Sequence, residues 1–502
     1  MRTWFQLKSP SRFTLTCIFF LFLYIKPAMA SETPNADDLY KQQNYKQAFS
    51  IYTKQAKAGN PHAYYQLGTM HYNGQGTEAN LLGALIWFSL AAEYQIDDSE
   101  EVLAQLLQSV ADDQLEKVLQ VITDFKKKYG KQQFQQKYLP VMIDDNKNKK
   151  VIFGSEGKHK NQLDLSDELV DEDISDYFSD DSFTEDDIDD TFGADSSDDF
   201  SSSNLFDRPY LAVVDYDIAV DGSIRNMNNI ESFGRVSQAL YDLSITNIPT
   251  PTFDGKPVSF VNRSYLGVAN YNMHRVREDN KELYNWLTRR IKRLSKSSDI
   301  NDRFQYARTL LLLKWLPQKE GQAVELLRSL AEEGYIKAQY EYGLYLYREQ
   351  IDLEQAIRWI SLASLYGLSE AQYRLAFILR TSPWVITNEK KSLFWFELAA
   401  AKNHAGANLK AAELKLLAQD KTLHDFKSAI AHLNNIESTQ QENPEFHYLV
   451  AVSYLHGENR DMVKAISHIR KAISKGNRLN WDVSDWEDQY KLWTTGKVYI
   501  VD

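Results

Sequence analysis

Ser155 and Lys158 stand at the S-x-x-K spacing, in which a lysine amine can take the proton of a nucleophilic serine hydroxyl. The segment around them, Ser155-Glu156-Gly157-Lys158, is polar, and the companion S-D-N and K-T-G elements are missing, so the spacing is read as chance. There is no H-E-x-x-H, G-x-S-x-G, phosphate-binding glycine loop or G-x-G-x-x-G. The ten histidines are scattered, and His468 stands where other repeats carry a core tryptophan. The aspartate run Asp164–Asp199 lacks the D-x-D-x-D-G order with a glutamate six positions beyond the glycine, so it is not read as a calcium loop. No catalytic residue, cofactor or metal is expected. The chemistry left to this chain is recognition of another backbone. A strand with a free edge offers N–H and C=O groups to an extended guest, and Val258, Phe260, Asn262, Arg263, Ser264 and Leu266 are the candidates for such an edge.

The elements that would position this edge lie between Tyr210 and Tyr271. Tyr210, Ala212, Val214, Tyr216, Ile218 and Val220 alternate with polar positions that include Asp215 and Asp217, the pattern of a half-buried strand. Asp221-Gly222 tolerates the positive φ of a tight turn, and Ser223–Ile230 returns as a second strand. Phe233–Leu243 has helical spacing. Pro249 and Pro251 force an extended crossing. Asp254-Gly255 turns the chain, Gly255-Lys256-Pro257 leads into a third strand, and Val258–Tyr271 forms it. The result is a small α+β module.

Two motifs in this module, "YDIAVDGSI" and "IPTPTFDGKPVSF", resemble the C-terminal domain of TonB, the periplasmic energy transducer. Tyr216, Ile218, Asp221, Gly222 and Ile224 match its hairpin. Ile248, Pro249, Gly255, Lys256, Pro257 and Val258 match the start of its later strand. The likeness spans about sixty of the 502 residues. It departs from the family in reversing the usual Tyr-Pro order at Pro209-Tyr210. The resemblance implies strand addition to an extended segment of an outer-membrane TonB-dependent receptor, or to another component of the TonB system.

Helical repeats flank the module. A small residue followed five positions later by glycine or alanine marks a first helix at Ala63…Gly68, Ala338…Gly343, Ala371…Ala376 and Ala407…Ala412. Phe446…Ala451 and a weaker Asp302…Ala307 extend the series. From Asp302 onward the starts are 36, 33, 36 and 39 residues apart. Second helices carry Ala84-Trp87-Ala91, Ala356-Trp359-Ala363, Ser392-Trp395-Ala399 and Ala465-His468-Ala472. A period in the mid-thirties means stacked helical hairpins that bury their apolar faces only against one another, with the Trp and Tyr residues filling the core. "YYQLGTMHYNGQG" followed by "GALIWFSLAAEYQ" resembles Sel-type repeats, relatives of tetratricopeptide repeats. That resemblance implies protein–protein scaffolding.

The chain opens with Arg2, Lys8 and Arg12, a 13-residue apolar run Phe13–Ile25 and an Ala28-Met29-Ala30 cleavage pattern. This is the layout of a secretory signal peptide, too short to span a bilayer at roughly 20 residues. The single cysteine, Cys17, lies inside it. A periplasmic address follows, with no stable membrane insertion after cleavage. The formal net charge of −12 is a local property, because the 17 acidic residues between Asp164 and Asp199 more than account for it. Low complexity and like-charge repulsion predict disorder there, and nothing points to nucleic acid. The basic run Arg289, Arg290, Lys292, Arg293 and Lys296 is either a solvated helix face or a dock for the acidic run.

The expected architecture is mostly α, a solenoid of helical hairpins with a TonB-C-like α+β module in the middle. It divides into a signal peptide (1–30), a first array (31–155), an acidic linker (156–207), the module (208–273), a second array (274–480) and a cap (481–502). The expected function is a non-enzymatic periplasmic adaptor linked to TonB-type transport through strand addition. A scaffold for envelope assembly with a purely structural module, and a membrane-anchored energy transducer, are the alternatives.

Overall fold

The structure is a computed structural model that describes residues 36–154, 210–456 and 460–495. The signal peptide, the Ser155–Lys158 spacing, the acidic run and the strand expected at Val498–Val501 lie outside the described residues. The first array consists of α1 (Ala36–Lys41), α2 (Tyr45–Lys57), α3 (Pro61–Asn73), α4 (Leu81–Ala92), α5 (Ser99–Gln108), α6 (Asp112–Tyr129) and α7 (Lys131–Tyr138). The module follows as β1 (Leu211–Ile218), β2 (Ile224–Phe233), α8 (Ser237–Ser244), β3 (Thr252–Phe253), β4 (Lys256–Pro257) and β5 (Phe260–Gly267). Next come α9 (Met273–Asp279) and α10 (Lys281–Leu294). The hairpins of the second array are α11 (Ile300–Leu312) with α12 (Gln322–Glu332), α13 (Ile336–Glu349) with α14 (Leu353–Leu365), and α15 (Ser369–Thr381) with α16 (Glu389–Ala400). They continue as α17 (Ala405–Leu417) with α18 (Phe426–Ile436), α19 (Pro444–His456) with α20 (Met462–Arg478), and a final α21 (Ser484–Thr495).

The hairpins form for reasons visible in each. Except in α12, which starts at Gly321, the second helix of a pair starts at an Asx cap whose side chain accepts the backbone N–H three residues on. Asn80 takes Gly83, Asp352 takes Gln355, Asn388 takes Lys391, Asp425 takes Ser428 and Asp461 takes Lys464. The small residues at helix crossings are there because larger ones would collide. A Cβ on Gly68 would lie 2.9 Å from the Phe88 ring, and one on Gly343 2.9 Å from Trp359 Cβ. Stacking between pairs is tied by a recurring buried amide on the first helix. Gln339 donates to the Ala331 carbonyl, Gln372 to Ser364 and Asn408 to Ala400, each eight residues back in the last turn of the preceding helix. This satisfies a terminal carbonyl that helix geometry leaves without an internal partner.

The module's sheet runs antiparallel in the order β2-β1-β5, so the first strand is central and the third lies beside it. The strand–hairpin–helix–strand order is as the sequence predicts, with shifted boundaries. The helix expected over Phe233–Leu243 begins only at Ser237, because β2 continues to Phe233 and Gly234 turns at φ 73°. The strand expected over Val258–Tyr271 ends at Gly267, whose φ is 58° and whose absent Cβ would lie 2.2 Å from the Tyr210 carbonyl. Asp221-Gly222 makes the expected turn, with the Asp221 carboxylate accepting the Ser223 amide at 3.0 Å. Gly255, Lys256 and Pro257 belong to a separate two-stranded hairpin, β3–β4.

Residues 139–153, placed with the first array by their position in the sequence, form a strap along the second array, two extended stretches joined by a 3-10 turn at Asp144–Asn146. Trp395 Nε1 donates to the Tyr138 carbonyl at 2.8 Å, Lys391 to Leu139 at 2.7 Å, and Trp384 Nε1 to Lys149 at 2.9 Å. Gln350 brackets Val151, its amide oxygen accepting the Val151 N–H and its nitrogen donating to the Val151 carbonyl. Ile152 then exchanges both backbone hydrogen bonds with Thr252 of the module. One core cluster therefore contains Phe134, Val151, Phe253, Phe260, Trp384 and Trp395, drawn from the first array, the strap, the module and the second array. The repeat tryptophans Trp87, Trp359 and Trp395 are in or against the core, as their spacing implies, whereas Tyr72 and Tyr129 are exposed. Truncating Trp384, which is fully buried against Phe253, Phe260 and Tyr347, should cost about 3–5 kcal/mol in Trp384→Ala. Trp384→Phe, which keeps the ring and loses the bond to Lys149, should cost markedly less. Urea denaturation of the two variants checks the order.

Candidate functional site

The sheet has two faces, and both are covered. Ala212, Val214, Tyr216 and Ile218 of β1 pack with Ile224, Leu243 of α8, Ile248 and Leu266. On the other face Leu211 and Val213 join the core formed with α10, α11 and α12. Asp215 and Asp217 point the same way as these two, toward α13 and α15. The sequence assigns these carboxylates to the wet side of a half-buried strand, yet Asp215 is 4 % exposed and Asp217 1 %. Burying an unpaired charge costs far more than a strand can supply, so each must find a cation.

Arg263 of β5 lies across from Asp215 in register and forms a fork to it, Nε to Oδ1 at 2.6 Å and Nη2 to Oδ2 at 2.9 Å. Its third donor, Nη1, reaches Glu341 of α13 at 2.8 Å. Arg348 of α13 comes within 3.9 Å of Asp215. Arg374 of α15 donates to Asp217 at 2.5 Å, and Asn226 of β2 takes the other oxygen at 3.0 Å. Asp215, Asp217 and Glu341 thus balance Arg263, Arg348 and Arg374, and all six are buried. Burial alone would push the Asp215 carboxyl up; Arg263 first, then Arg348 and Arg374, outweigh it and hold it below the usual range. Burial likewise opposes the charge on Arg263, while Asp215 and Glu341 drive its affinity for the proton well up.

A second balanced cluster continues along the first helices of later hairpins. Lys410 of α17 bonds Glu413 at 3.0 Å and Glu445 of α19 at 2.5 Å, while Arg380 of α15 pairs with Glu413. Burial raises the Glu445 carboxyl, and the neighbouring Glu413 adds to the rise against the pull of Lys410. Lys410 and Arg380 carry Glu413 the other way, against burial.

In the order β2-β1-β5 the candidate strand does lie at one edge of the sheet, but the exposure expected of its side chains must be corrected on this geometry. Phe260, Val261, Asn262, Arg263 and Ser264 are five consecutive buried residues, none more than 7 % exposed, and Leu266 is 6 % exposed. Val258 is half-buried. Asn262 and Ser264 point at the Tyr216 hydroxyl (3.4 and 3.0 Å), and Asn262 Oδ1 accepts the backbone N–H of Arg263 at 2.9 Å. Side chains read as facing a guest are interior hydrogen-bonding groups, because Arg263 is held against α13 of the second array and Asn262 and Ser264 lie on the face shared with Tyr216 and α8. The sheet's exposed border is β2, where Met227, Asn228 and Asn229 face solvent. Register shifts opposite Val213/Val214 and Asp215/Asp217 and a positive φ at Asn226 interrupt its ladder, irregularities that discourage edge pairing. Among the described residues no group of His, Cys, Asp or Glu is placed to hold a metal ion.

The second array therefore holds its own sheet against the first helices of its hairpins. Arg308 of α11 reaches Glu231 and the Ile230 carbonyl at one end. At the other end Asp482 N–H donates to the Asp221 carboxylate at 3.0 Å, and Arg225 lies 4.3 Å from the Trp481 ring centroid. Stacked helical hairpins of this kind are those of Sel1 repeats, TPR relatives of the SLR fold. The Sel1 repeat family model matches residues 61–93, 336–365, 369–404 and 444–477, which are α3–α4, α13–α14, α15–α16 and α19–α20. Four of the hairpins thus match Sel1 repeats, and α11–α12 and α17–α18 extend the same stacking outside the matched segments.

The chain is 28 % identical over 175 residues to uncharacterized protein NMB1327 of Neisseria meningitidis serogroup B. That alignment covers 34 % of this chain and 36 % of the relative, so the chain spans little more than a third of that protein's length. Among solved structures it is similar to a Sel1 repeat protein from Oxalobacter formigenes, at 16 % identity and TM-score 0.32, over 40 % of this chain and 84 % of that one. It is also similar to c5321, a protective antigen of uropathogenic Escherichia coli strains displaying an SLR fold, at 13 % identity and TM-score 0.32, over 92 % and 89 %.

Removing one partner of a buried pair strands the other charge, at a cost of about 3–5 kcal/mol, whereas replacing both by apolar groups is often close to neutral. Asp217→Ala and Arg374→Met should each fall in that range, and the double variant should recover most of the loss; chemical denaturation of all four proteins measures the coupling. Because the folded carboxyl of Asp215 sits below its unfolded value of 3.8, its contribution is fully present above that value and is lost as pH falls through the folded one. Asp215→Asn should therefore have a shallower acid limb in a stability–pH profile than the parent. In a Cys17→Ser background, Ser264→Cys should react with maleimide only after denaturation, while Asn229→Cys on β2 should react at the rate of an exposed thiol.

Proposed function

We propose that this chain is a non-enzymatic scaffold of the cell envelope whose β module is a structural part of the second array, and whose partners meet the helical surface of the first. Sel1-repeat proteins are typically non-enzymatic and generally mediate protein–protein interactions. The observation that carries the reading is the buried fork from Arg263 to Asp215 and onward to Glu341, which fixes β5 against the repeat helices and takes its polar side chain out of reach of a guest. Among the described residues the first array has no sheet of its own against it. Tyr72 at the end of α3 is 56 % exposed, and Leu81 and Leu82 at the start of α4 are 39 % and 40 % exposed at the same end of that hairpin. Apolar groups gathered at one end of a repeat are more informative than scattered ones.

A TonB-linked adaptor rests on the two motifs that bracket the module. On our reading Asp221 and Gly222 serve the turn that meets Asp482, and a guest would find the side chains of β5 already engaged inside the protein. The periplasmic address is supported by the charged, apolar and small-residue layout of residues 1–30. The energy-transducer alternative needs an anchor. Among the described residues no helix is long and apolar enough to cross a membrane.

Photo-crosslinking residues placed singly at Tyr72, Leu82, Val220 and Met227 in the whole chain test the reading in cells. Adducts with a protein partner are expected from Tyr72 and Leu82. Adducts confined to Val220 and Met227 would return the function to the module. Amino-terminal sequencing of the protein recovered from the envelope should begin at Ser31; retention of Arg2–Ala30 would instead revive the anchored transducer.

A further inference from the structure

The exposed side of α10 and the turn that follows it carry four cations in one stripe. Leu287, Ile291 and Leu294 are buried, and Arg289, Lys292, Arg293 and Lys296 project from the solvent side at spacings of three and four, the repeat of a single helix face. Among the described residues none of the four has a carboxylate within ion-pair distance. The carboxylates on neighbouring turns are engaged elsewhere: Asp279 pairs with Arg275, and Asp299 caps α11 through the N–H groups of Asn301 and Asp302. Arg290 lies across Trp286, 5.4 Å from its ring centroid, and is not part of the stripe.

We infer that this stripe is the docking site of the chain's own acidic segment, residues 164–199. Charge complementarity is the first argument. The segment holds 17 carboxylates and no lysine or arginine, and the stripe is the basic surface whose cations lack described partners. Two other basic runs are neutralised in part. Lys126 and Lys127 of α6 pair with Glu93 and Asp124, and Lys475 and Arg478 of α20 share Glu442.

Position is the second argument. The segment rejoins the described chain at Tyr210, whose carbonyl accepts the Val268 N–H in the turn that leads to α9 and α10. The next residue, Leu211, shares a core cluster with Leu287 and Ile291 of α10. Ten residues separate Asp199 from Tyr210, excluding Asp199 itself and Tyr210 itself, and an extended chain of that length reaches about 33–36 Å. The stripe itself extends for only about 10 Å of helix. A tether this short keeps the local concentration of the segment high, so pairs that individually contribute about 0–1 kcal/mol act together.

Carbodiimide coupling in the full chain, read by mass spectrometry, tests the assignment directly. Lys292 and Lys296 should join to carboxylates of residues 164–199, and the yield should fall several-fold at 1 M salt, where the Debye length is about 3 Å. A fluorescent peptide of residues 164–199 should bind the chain deleted of that segment, and bind it about tenfold more weakly when Arg289, Lys292, Arg293 and Lys296 are all glutamine. These side chains are exposed, so melting curves of the quadruple variant should match the parent. Equal peptide binding by parent and quadruple variant, or crosslinks spread evenly over lysines of other helices, overturns the assignment. It is also overturned if a short DNA duplex binds the intact chain through the stripe as tightly as it binds the deleted one, because an occupied stripe must resist that competitor.

Discussion

A guanidinium buried between two carboxylates is the interaction on which the arrangement of this protein depends. Arg263 leaves β5, forks onto Asp215 of β1 and reaches Glu341 on a repeat helix. The sheet and the solenoid are therefore joined by charges that neither can bury alone. Without the array, Asp215, Asp217 and Arg263 would lie on a sheet face with no reason to exclude water. Without the sheet, Arg348 and Arg374 would be cations held against the interior of a helical stack. The joint is specific because charge, direction and hydrogen-bond number must all agree. A slip of one residue in the β1–β5 register would turn every one of these side chains to the opposite face.

Around this joint the protein departs from the independence of ordinary repeats. A solenoid distributes its stability over neighbouring units, and the amide ties at Gln339, Gln372 and Asn408 are of that local kind. The module and the strap of residues 139–153 add contacts between segments far apart in the chain. Trp384 illustrates this, touching Phe253 and Phe260 of the module while its ring nitrogen holds the Lys149 carbonyl. The second array, the sheet and the end of the first array thus share one core, and a disturbance at any of them reaches the others.

Filling its own inner surface has a consequence for recognition. A repeat protein with an empty inner face can take a partner there; this second array has spent that face on its own sheet. On our reading, partners meet the hairpin end at Tyr72, Leu81 and Leu82 in the first array, while the cationic side of α10 is the dock of the chain's own acidic segment.

The repeats were legible in the sequence because their cause is local. Small residues at fixed spacing and an aromatic-rich core repeat each obey geometry set within about forty residues. The strand–turn–strand pattern of the module was legible for the same reason, since alternation and an Asp-Gly turn are short-range signals. The role of Asp215, Asp217, Asn262, Arg263 and Ser264 was not. Alternation reports that a strand has two chemically different faces, and polar residues on one of them are equally consistent with water or with buried counter-charges. The counter-charges stand at Glu341, Arg348 and Arg374, some 80 to 160 residues away. Only their position beside the packing alanines Ala338 and Ala371 marked them as inward-facing. Local patterning determined which segments are helices and strands; the tertiary fold decided which polar face is dry, because desolvation is a property of what packs against a residue.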